Sequence, residues 1–183
     1  MREQPEALYY QDNQNLKQKA KTMKIMNGDF FTELKKKAVE APRKRANFNL
    51  HKSLEDDIHK LFVAAEPETY IRPHRHSRKD AAELLIILKG TADVLIFEND
   101  GTLKERIAIS ESGETKAIEI DENVFHGFIP HAGGSVILEV KKGPYVPTPE
   151  NDFVSWAPAV GSEKVPEFLA LMKKLKPGEK IKA

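Results

Sequence analysis

The chain contains no cysteine among its 183 residues. This absence excludes disulfide bonds, thiolate metal ligands and cysteine nucleophiles. Any metal ion that the protein binds must be held by nitrogen and oxygen atoms, which come chiefly from histidine and carboxylate side chains. The composition therefore favours a site built from some of the six histidines.

The sequence also lacks a long apolar run and an excess of charge of either sign. No stretch approaches the ~20 apolar residues of a membrane span, and the polar N-terminus has no apolar core of signal-peptide length. Lysine plus arginine (29) nearly balance aspartate plus glutamate (28), for a net charge of +1. We therefore predict a cytoplasmic protein that binds neither nucleic acid nor membrane.

The length and the hydrophobic content of 40% suit one domain with appendages. We divide the chain into a polar N-terminal extension (1–22), an N-terminal helical region (23–66), a β-barrel (67–145) and a C-terminal loop and helix (146–183). The extension is rich in glutamine, asparagine and lysine, so we predict that it is loosely attached to the domain, and we assign it no function.

Apolar residues at helical spacing predict three helices, over residues 29–40, 54–64 and 165–175. In the second of these, the sequence from Ser53 resembles a capping box, and the apolar stripe that follows leaves His59 on the exposed face. We therefore predict His59 to be a surface residue. The first helix is expected to begin at Asp29 and to end before Pro42.

The middle of the chain has the two-residue periodicity of β-strands. Candidate strands are residues 69–71, 84–89, 92–98, 105–110, 115–120, 126–130 and 135–141. Asn99-Asp100-Gly101 and Gly133-Gly134 are strong turn signals, because these residues adopt positive φ angles readily. Short strands separated by such turns predict a mainly β domain, a sandwich or a barrel.

His74 and His76 alternate in a segment that Pro73 favours as extended, since proline biases the residue before it towards β geometry. Residues two apart in a strand point to the same face, so both imidazoles can bind one ion. Histidines with a carboxylate are a common donor set for transition metals. An isolated pair of this kind is also compatible with two solvated surface histidines.

Glu83 and His126 are the candidates to complete the set. Glu83 opens an apolar strand, and His126 lies on another apolar strand, where a buried imidazole requires a partner. For Glu83 the alternative is a salt bridge at the barrel rim with one of Arg72, Arg75 or Arg78. His131, which follows Pro130, is interpreted as a loop residue.

Arg43 and Arg45 form a short basic cluster with Lys44. Guanidinium groups bind phosphate and carboxylate oxygens through paired hydrogen bonds, so the cluster is a candidate anion site. A solvated basic turn is the alternative. Their spacing, together with the family resemblance described below, predicts that Arg43 and Arg45 line the open side of the metal pocket and contact an anionic ligand.

Together, His74-x-His76, Glu83 ahead of Gly90, and His126 after a polar turn resemble the two motifs of cupins, which are jelly-roll barrels. The resemblance sharpens to the WbuC family of cupin-fold metalloproteins through further motifs: Arg43-x-Arg45, Asn49-Leu50-His51, Tyr70-Ile71-x-Pro73-His74-Arg75-His76, Glu139-Val140-Lys141-x-Gly143-Pro144-Tyr145 and Trp156-Ala157-Pro158. They span about residues 26–161. Two positions depart from the pattern: six residues separate His76 from Glu83, and Val160 stands where the family tends to have glutamate.

The resemblance implies a cupin jelly-roll barrel with flanking helices and one divalent metal ion at its mouth, held by His74, His76, Glu83 and His126. Zinc or iron ranks ahead of manganese or nickel. It also implies a role in bacterial surface-polysaccharide synthesis of the O-antigen type. We assign candidate substrate contacts to Arg43, Arg45, Lys141 and Tyr145, and proton transfer to Tyr70 or His51.

Three functions stay open at this point. The protein could be an enzyme that modifies a sugar or sugar nucleotide, with the metal polarising a substrate oxygen. It could be a metal-containing sugar-binding or regulatory module without turnover. It could also be an iron-dependent dioxygenase, since histidines with a carboxylate suit iron(II). A homodimer is compatible with each.

Overall fold

The computed structural model describes residues 23–181, so the predicted N-terminal extension lies outside the described residues. Within this range two α-helices flank eight β-strands, and a short 3-10 turn covers Glu150–Asp152. In chain order the elements are α1 (Gly28–Glu40), β1 (Arg45–Asn49), β2 (Ile58–Ala65), β3 (Glu83–Lys89), β4 (Thr91–Phe97), β5 (Leu103–Ser110), β6 (Ala117–Ile120), β7 (Phe125–Pro130), β8 (Ser135–Lys142) and α2 (Val165–Lys174).

The strands form two antiparallel sheets, with orders β1-β2-β8-β3-β6 and β5-β4-β7. An extended segment at His74 widens the second sheet, since His74 bridges to His126 in β7 and to Phe153. From β2 onward the chain crosses repeatedly between the sheets, which is the path of a jelly roll. The predicted mainly β fold, a jelly-roll barrel with flanking helices, is confirmed.

Helix α1 covers the outer face of the first sheet. Asn27 is its N-cap and accepts a hydrogen bond from the Phe30 amide at 3.1 Å, while Asp29, the predicted cap, lies in the first turn. Leu34 and Ala38 are the buried positions of the helix, and they pack in one cluster with residues of β2 and β8.

The predicted helix over residues 54–64 is wrong, because this region contains strand β2. Phe62 and Ala64 face α1, while Ala65 packs inside the barrel, so both faces of β2 are buried. A strand that is apolar on both faces gives no clean two-residue alternation and imitates a helical stripe. The same error misplaced His59, which is buried and only 3% exposed. Residues 69–71 are also not a strand.

The barrel interior has an apolar end and a polar end. Leu85, Ile87 and Ile137 of the first sheet pack against Val94 and Phe128 of the second. Strand alternation then sets Glu83, Glu139 and Lys141 on the inner face at the other end, together with His126. The candidate site occupies this polar end. Neither helix within residues 23–181 is long and apolar enough to cross a membrane.

Candidate metal centre

The three histidines predicted as ligands lie together. His74 and His126 exchange two backbone hydrogen bonds, of 3.0 Å and 2.8 Å, which fix the His74 segment beside β7. His74, His76 and His126 each offer a nitrogen, and these three atoms lie within 4.8 Å of one another. The two-residue spacing of His74 and His76 thus places both of their imidazoles beside that of His126, which lies on a distant strand.

Backbone carbonyl groups orient two of these rings. His74 Nδ1 lies 3.0 Å from the Arg72 carbonyl oxygen, and His126 Nδ1 lies 2.9 Å from the Val124 carbonyl oxygen. A ring nitrogen beside a carbonyl oxygen carries the proton and donates it, so in a neutral ring Nε2 keeps its lone pair. Anchoring of one ring nitrogen by a carbonyl is the usual arrangement of histidines that bind metal through the other.

Glu83 joins this cluster. Its Oε2 atom lies 3.2 Å from His126 Nε2 and 3.3 Å from His76 Nε2, and the side chain is buried. The long spacing after His76 is taken up by a turn closed by a hydrogen bond from the Ala81 amide to the Arg78 carbonyl. Glu83 therefore starts β3 facing the histidines despite that spacing.

The arginines proposed as alternative partners of Glu83 bind elsewhere. Arg72 pairs with Glu150 at 2.8 Å, and Arg75 pairs with Asp152 at 3.1 Å. Arg78 donates to the carbonyl oxygens of residues 142–144. The salt-bridge alternative for Glu83 is therefore not what the structure contains.

The contact between His126 and Glu83 requires a positive charge. His126 Nδ1 already donates to Val124, so Nε2 of a neutral ring and Glu83 Oε2 would present lone pairs to each other. Burial lowers the pKa of His126, but the hydrogen bond and charge of Glu83 outweigh it and raise that pKa above its usual value. For Glu83 burial acts in the opposite direction and raises the pKa. The hydrogen bonds of Glu83 to His126 and His76 outweigh burial, so the pKa of Glu83 is well below its usual value. A proton or a metal ion satisfies both groups.

His74 differs from His126 in its protonation. Burial, reinforced by the neighbouring His126, lowers the pKa of His74 to about 3. The ring is therefore neutral at physiological pH, and its Nε2 lone pair is available for coordination.

Glu139 and Lys141 form a second polar layer on the inner face of β8. Lys141 Nζ lies 2.5 Å from Glu139 Oε1, and Lys141 is directly opposite Glu83 in the β3–β8 register. Burial raises the pKa of Glu139 to about 7; Lys141 opposes the rise and the Glu83 charge adds to it. Glu139 can therefore hold a proton near neutral pH. Sequence reasoning missed it as a site residue, although its alternation with Lys141 on an apolar strand was visible.

His51, a predicted proton-transfer residue, belongs to a separate pair. Its ring stacks on that of His59 with centroids 4.0 Å apart and planes at 10°. His51 Nδ1 lies 3.1 Å from the Lys60 carbonyl oxygen, and His59 Nε2 lies 3.1 Å from that of Leu54. In the sheet, His59 is two strands from Glu83, about 10 Å at the usual strand spacing.

Tyr70, the other predicted proton-transfer residue, points away from the histidines. Its hydroxyl donates to the Pro158 carbonyl oxygen at 2.8 Å, and its ring packs against Phe168 of α2. Burial raises the pKa of Tyr70 well above its usual range. The prediction that Tyr70 transfers a proton at the metal centre is corrected accordingly: the residue anchors the C-terminal segment.

Arg45 also lies far from the histidines. It pairs with Ala65, six residues along β2 from His59, which corresponds to about 20 Å of strand. Its Nη1 donates to the Tyr70 carbonyl oxygen at 2.8 Å. The expectation that Arg45 lines the open side of the metal pocket is therefore not supported by the register.

Two further predicted substrate contacts are half-buried. The Arg43 carbonyl accepts a hydrogen bond from the Thr69 hydroxyl at 2.8 Å, next to the end of the barrel that Arg45 occupies. The Tyr145 amide donates to the Leu54 carbonyl at 2.7 Å, which places its backbone beside His59. Of the predicted substrate residues, Lys141 is the one that lies opposite Glu83 in the β3–β8 register, and its charge helps to lower the Glu83 pKa.

Comparison with known proteins gives limited family information. The model of a domain of unknown function (DUF6016) matches residues 26–109, which is less than half of the chain. No curated protein matches the chain. The resemblance to the WbuC family stays a prediction.

Solved structures with the same general fold are distant. KdgF from Halomonas sp. is 15% identical with a TM-score of 0.45, covering 58% of this chain and 84% of its own. A cupin superfamily protein from Desulfitobacterium hafniense DCB-2 is 13% identical (TM-score 0.41; 54% and 76% covered). A cupin-2 domain protein from Shewanella frigidimarina NCIMB 400 is 15% identical (TM-score 0.41; 54% and 80% covered). Likeness at this level carries no argument about the site, which we interpret from its own geometry.

Proposed function

We propose that the protein is a metal-dependent enzyme that holds one divalent transition ion through His74, His76, His126 and Glu83. The observation that carries this proposal is the convergence of three imidazole nitrogens within 4.8 Å, beside a buried carboxylate that needs a positive charge. Three nitrogens and one oxygen suit zinc or iron, and also manganese or nickel.

When bound, the ion would act as a Lewis acid that polarises a carbonyl or hydroxyl oxygen of the substrate. The chain itself supplies the orientation of the donors. The carbonyl groups of Arg72 and Val124 hold two rings so that Nε2 faces the centre. Glu83 supplies the negative charge, and its burial keeps that charge from being screened by water.

Glu139 and Lys141 are the reason to favour an enzyme over a binding module. An enzyme needs a titratable group next to the reacting atoms, whereas a binding module does not. Glu139 pairs with Lys141, and the Glu83 charge adds to the rise of the Glu139 pKa to about 7, which suits a group that donates and accepts a proton near pH 7. The dioxygenase alternative depends only on the donor set, which several metals share.

We propose a sugar or sugar nucleotide as the substrate, in the synthesis of bacterial surface polysaccharide, as the family resemblance implies. Amide groups on β1 are compatible with this, since Asn47 and Asn49 occupy the face of the first sheet that carries His59 and Glu139. Amides offer both donors and acceptors to hydroxyl groups. The cytoplasmic location and the homodimer remain predictions.

The metal assignment is tested by elemental analysis of the purified protein. We expect about one transition ion per chain in the parent and nearly none in His126→Ala, because a site with four protein ligands fails when one is removed. His131→Ala is the matched control, since His131 is 44% exposed and pairs with Asp93 away from the site. Equal metal content in parent and His126→Ala would reject the proposal.

The enzyme assignment is tested separately with a panel of nucleotide sugars. Glu139→Gln keeps the size of the side chain and removes its ability to exchange a proton. We expect this variant to keep its metal and to bind the active nucleotide sugar, but to lose turnover at least a hundredfold. Binding by the parent without any turnover would instead support the sugar-binding or regulatory module.

A further inference from the structure

A cavity lies outside the metal centre, between the hairpin at Asn99 and the segment that follows β8. Its volume is about 450 Å³, within the range of small-molecule sites. Residues that line it include Arg72, Arg75, Asn99, Phe125, Phe153 and Ser155. None of the four proposed metal-binding residues lines this cavity, which we call the arginine groove.

Arg75 is fixed in this groove with its terminal nitrogens available. Its Nε donates to the buried Asp152 at 3.1 Å, and its guanidinium group lies 4.9 Å from the centre of the Phe125 ring. Asp152 is itself held by the amide and hydroxyl of Ser77. Across residues 23–181, no acceptor contacts the two Nη atoms of Arg75, and its side chain is 30% exposed. This is a preorganised fork for two oxygens of an anion.

Arg72 is the second cation of the groove, and its acidic partner is weakly held. Its guanidinium lies 4.9 Å from the Phe153 ring centre, Nη2 donates to the Val154 carbonyl, and Nη1 pairs with Glu150 at 2.8 Å. The Arg72 side chain is 11% exposed, but that of Glu150 is 80% exposed. An ion pair to so exposed a carboxylate contributes little, so another anion can replace it. Arg72 Nε is buried and has no acceptor among the residues described.

We propose that the arginine groove binds the carboxylate or phosphate group of a small molecule. The Nη atoms of Arg75 hold two oxygens of the anion, and Arg72 Nη1 joins them when Glu150 is displaced. The rings of Phe125 and Phe153, each covered by a guanidinium, form walls for the body of the ligand. With Glu150 displaced, two arginines face only the one carboxylate of Asp152, which leaves the groove with a net positive charge.

Isothermal titration calorimetry with inorganic phosphate and with benzoate tests this site. Glu150→Gln removes the competing carboxylate, so we expect it to bind at least one probe about fivefold more tightly than the parent. Glu163→Gln is the matched control, because it makes the same charge change at an exposed residue outside the groove. A gain with phosphate alone indicates a phosphate ligand, and one with benzoate alone a carboxylate. The proposal is overturned if neither the parent nor Glu150→Gln binds either probe, or if Glu163→Gln gains as much affinity as Glu150→Gln.

Arg75→Gln removes the guanidinium group that is proposed to bind the anion, so it should weaken probe binding at least tenfold. Asp152 keeps its bonds to Ser77 in this variant, and circular dichroism verifies the fold. If Arg75→Gln does not fold, the Glu150→Gln titration decides. Metal content is measured in every variant and should equal that of the parent, because the groove contains no proposed ligand. Unchanged anion binding in Arg75→Gln with normal metal content would therefore reject the groove and leave the metal assignment standing, whereas weakened anion binding in a protein without metal would do the reverse.

Discussion

Two groups of histidines in the same barrel differ in what their ring nitrogens contact. In the first, His74, His76 and His126 turn nitrogens towards each other, and His76 and His126 also contact Glu83. In the second, His51 and His59 stack face to face, and each uses a ring nitrogen on the backbone. Each group contains a buried ring, so burial alone does not distinguish a metal site from a structural pair.

The carboxylate accounts for the difference. Glu83 raises the pKa of His126 against the effect of burial, whereas burial lowers the pKa of His51 and no carboxylate overcomes it. The first group therefore attracts a cation, whereas His51 of the second group is favoured as a neutral ring. A histidine cluster is a metal candidate when its lone pairs converge on a charge that requires compensation.

The largest expected effect is a difference in metal content between alanine variants of the two histidine groups. We expect His76→Ala to bind metal more than a hundredfold more weakly, because it removes one of four donors. His59→Ala should keep about one ion per chain and lose only folding stability. Added zinc should raise the melting temperature of the parent and of His59→Ala, but not that of His76→Ala. Loss of metal in both variants would remove the distinction between the groups.

A smaller effect is expected from the carboxylate itself. Glu83→Gln retains the shape of the side chain but removes its charge, so metal affinity should fall about 10- to 100-fold. Glu119→Gln is the control, since Glu119 is exposed on β6, which neighbours β3. Competition with a chelator of known affinity measures both. An unchanged affinity in Glu83→Gln would mean that the three histidines act without the carboxylate.

The pH dependence of metal binding gives a second test of the role of Glu83. The metal requires an unprotonated Nε2, and Glu83 raises the pKa of His126, so affinity should fall about tenfold per pH unit below that raised pKa. His74, with a pKa of about 3, should not compete with the metal until far lower pH. In Glu83→Gln the decline should begin at lower pH. A zinc titration at several pH values between about 5 and 8 measures the shift.

The smallest effect is expected in the stacked pair. His59→Phe keeps an aromatic ring against His51 but loses the hydrogen bond to the Leu54 carbonyl. That carbonyl still accepts a bond from the Tyr145 amide, so the loss should be only about 1 kcal/mol of unfolding free energy. Urea denaturation measures it. A change in metal content would show that the pair is coupled to the centre.

Local pattern predicted much of the fold and of the centre. The alternation of His74 and His76, the polar turn before His126 and the turn glycines each act within a few residues, and these features were found correctly. The failures came from longer-range packing: β2 imitates a helix because both its faces are covered, and Tyr70 turns towards Pro158 rather than the histidines. Neither the covering of β2 nor the bond from Tyr70 to Pro158 leaves a signal in the neighbouring sequence.

The sequence by itself determined the chemistry available to this protein: nitrogen and oxygen donors without sulfur, two imidazoles on one strand face, and an alternating β pattern for the barrel. Only the tertiary structure decided which polar groups meet. The register of β3 against β8 set Glu83 opposite Lys141, and the register of β1 against β2 carried Arg45 to the far end of the sheet. Periodicity fixes the face on which a side chain lies, but not the residue across from it, because pairing depends on strands far apart in the chain.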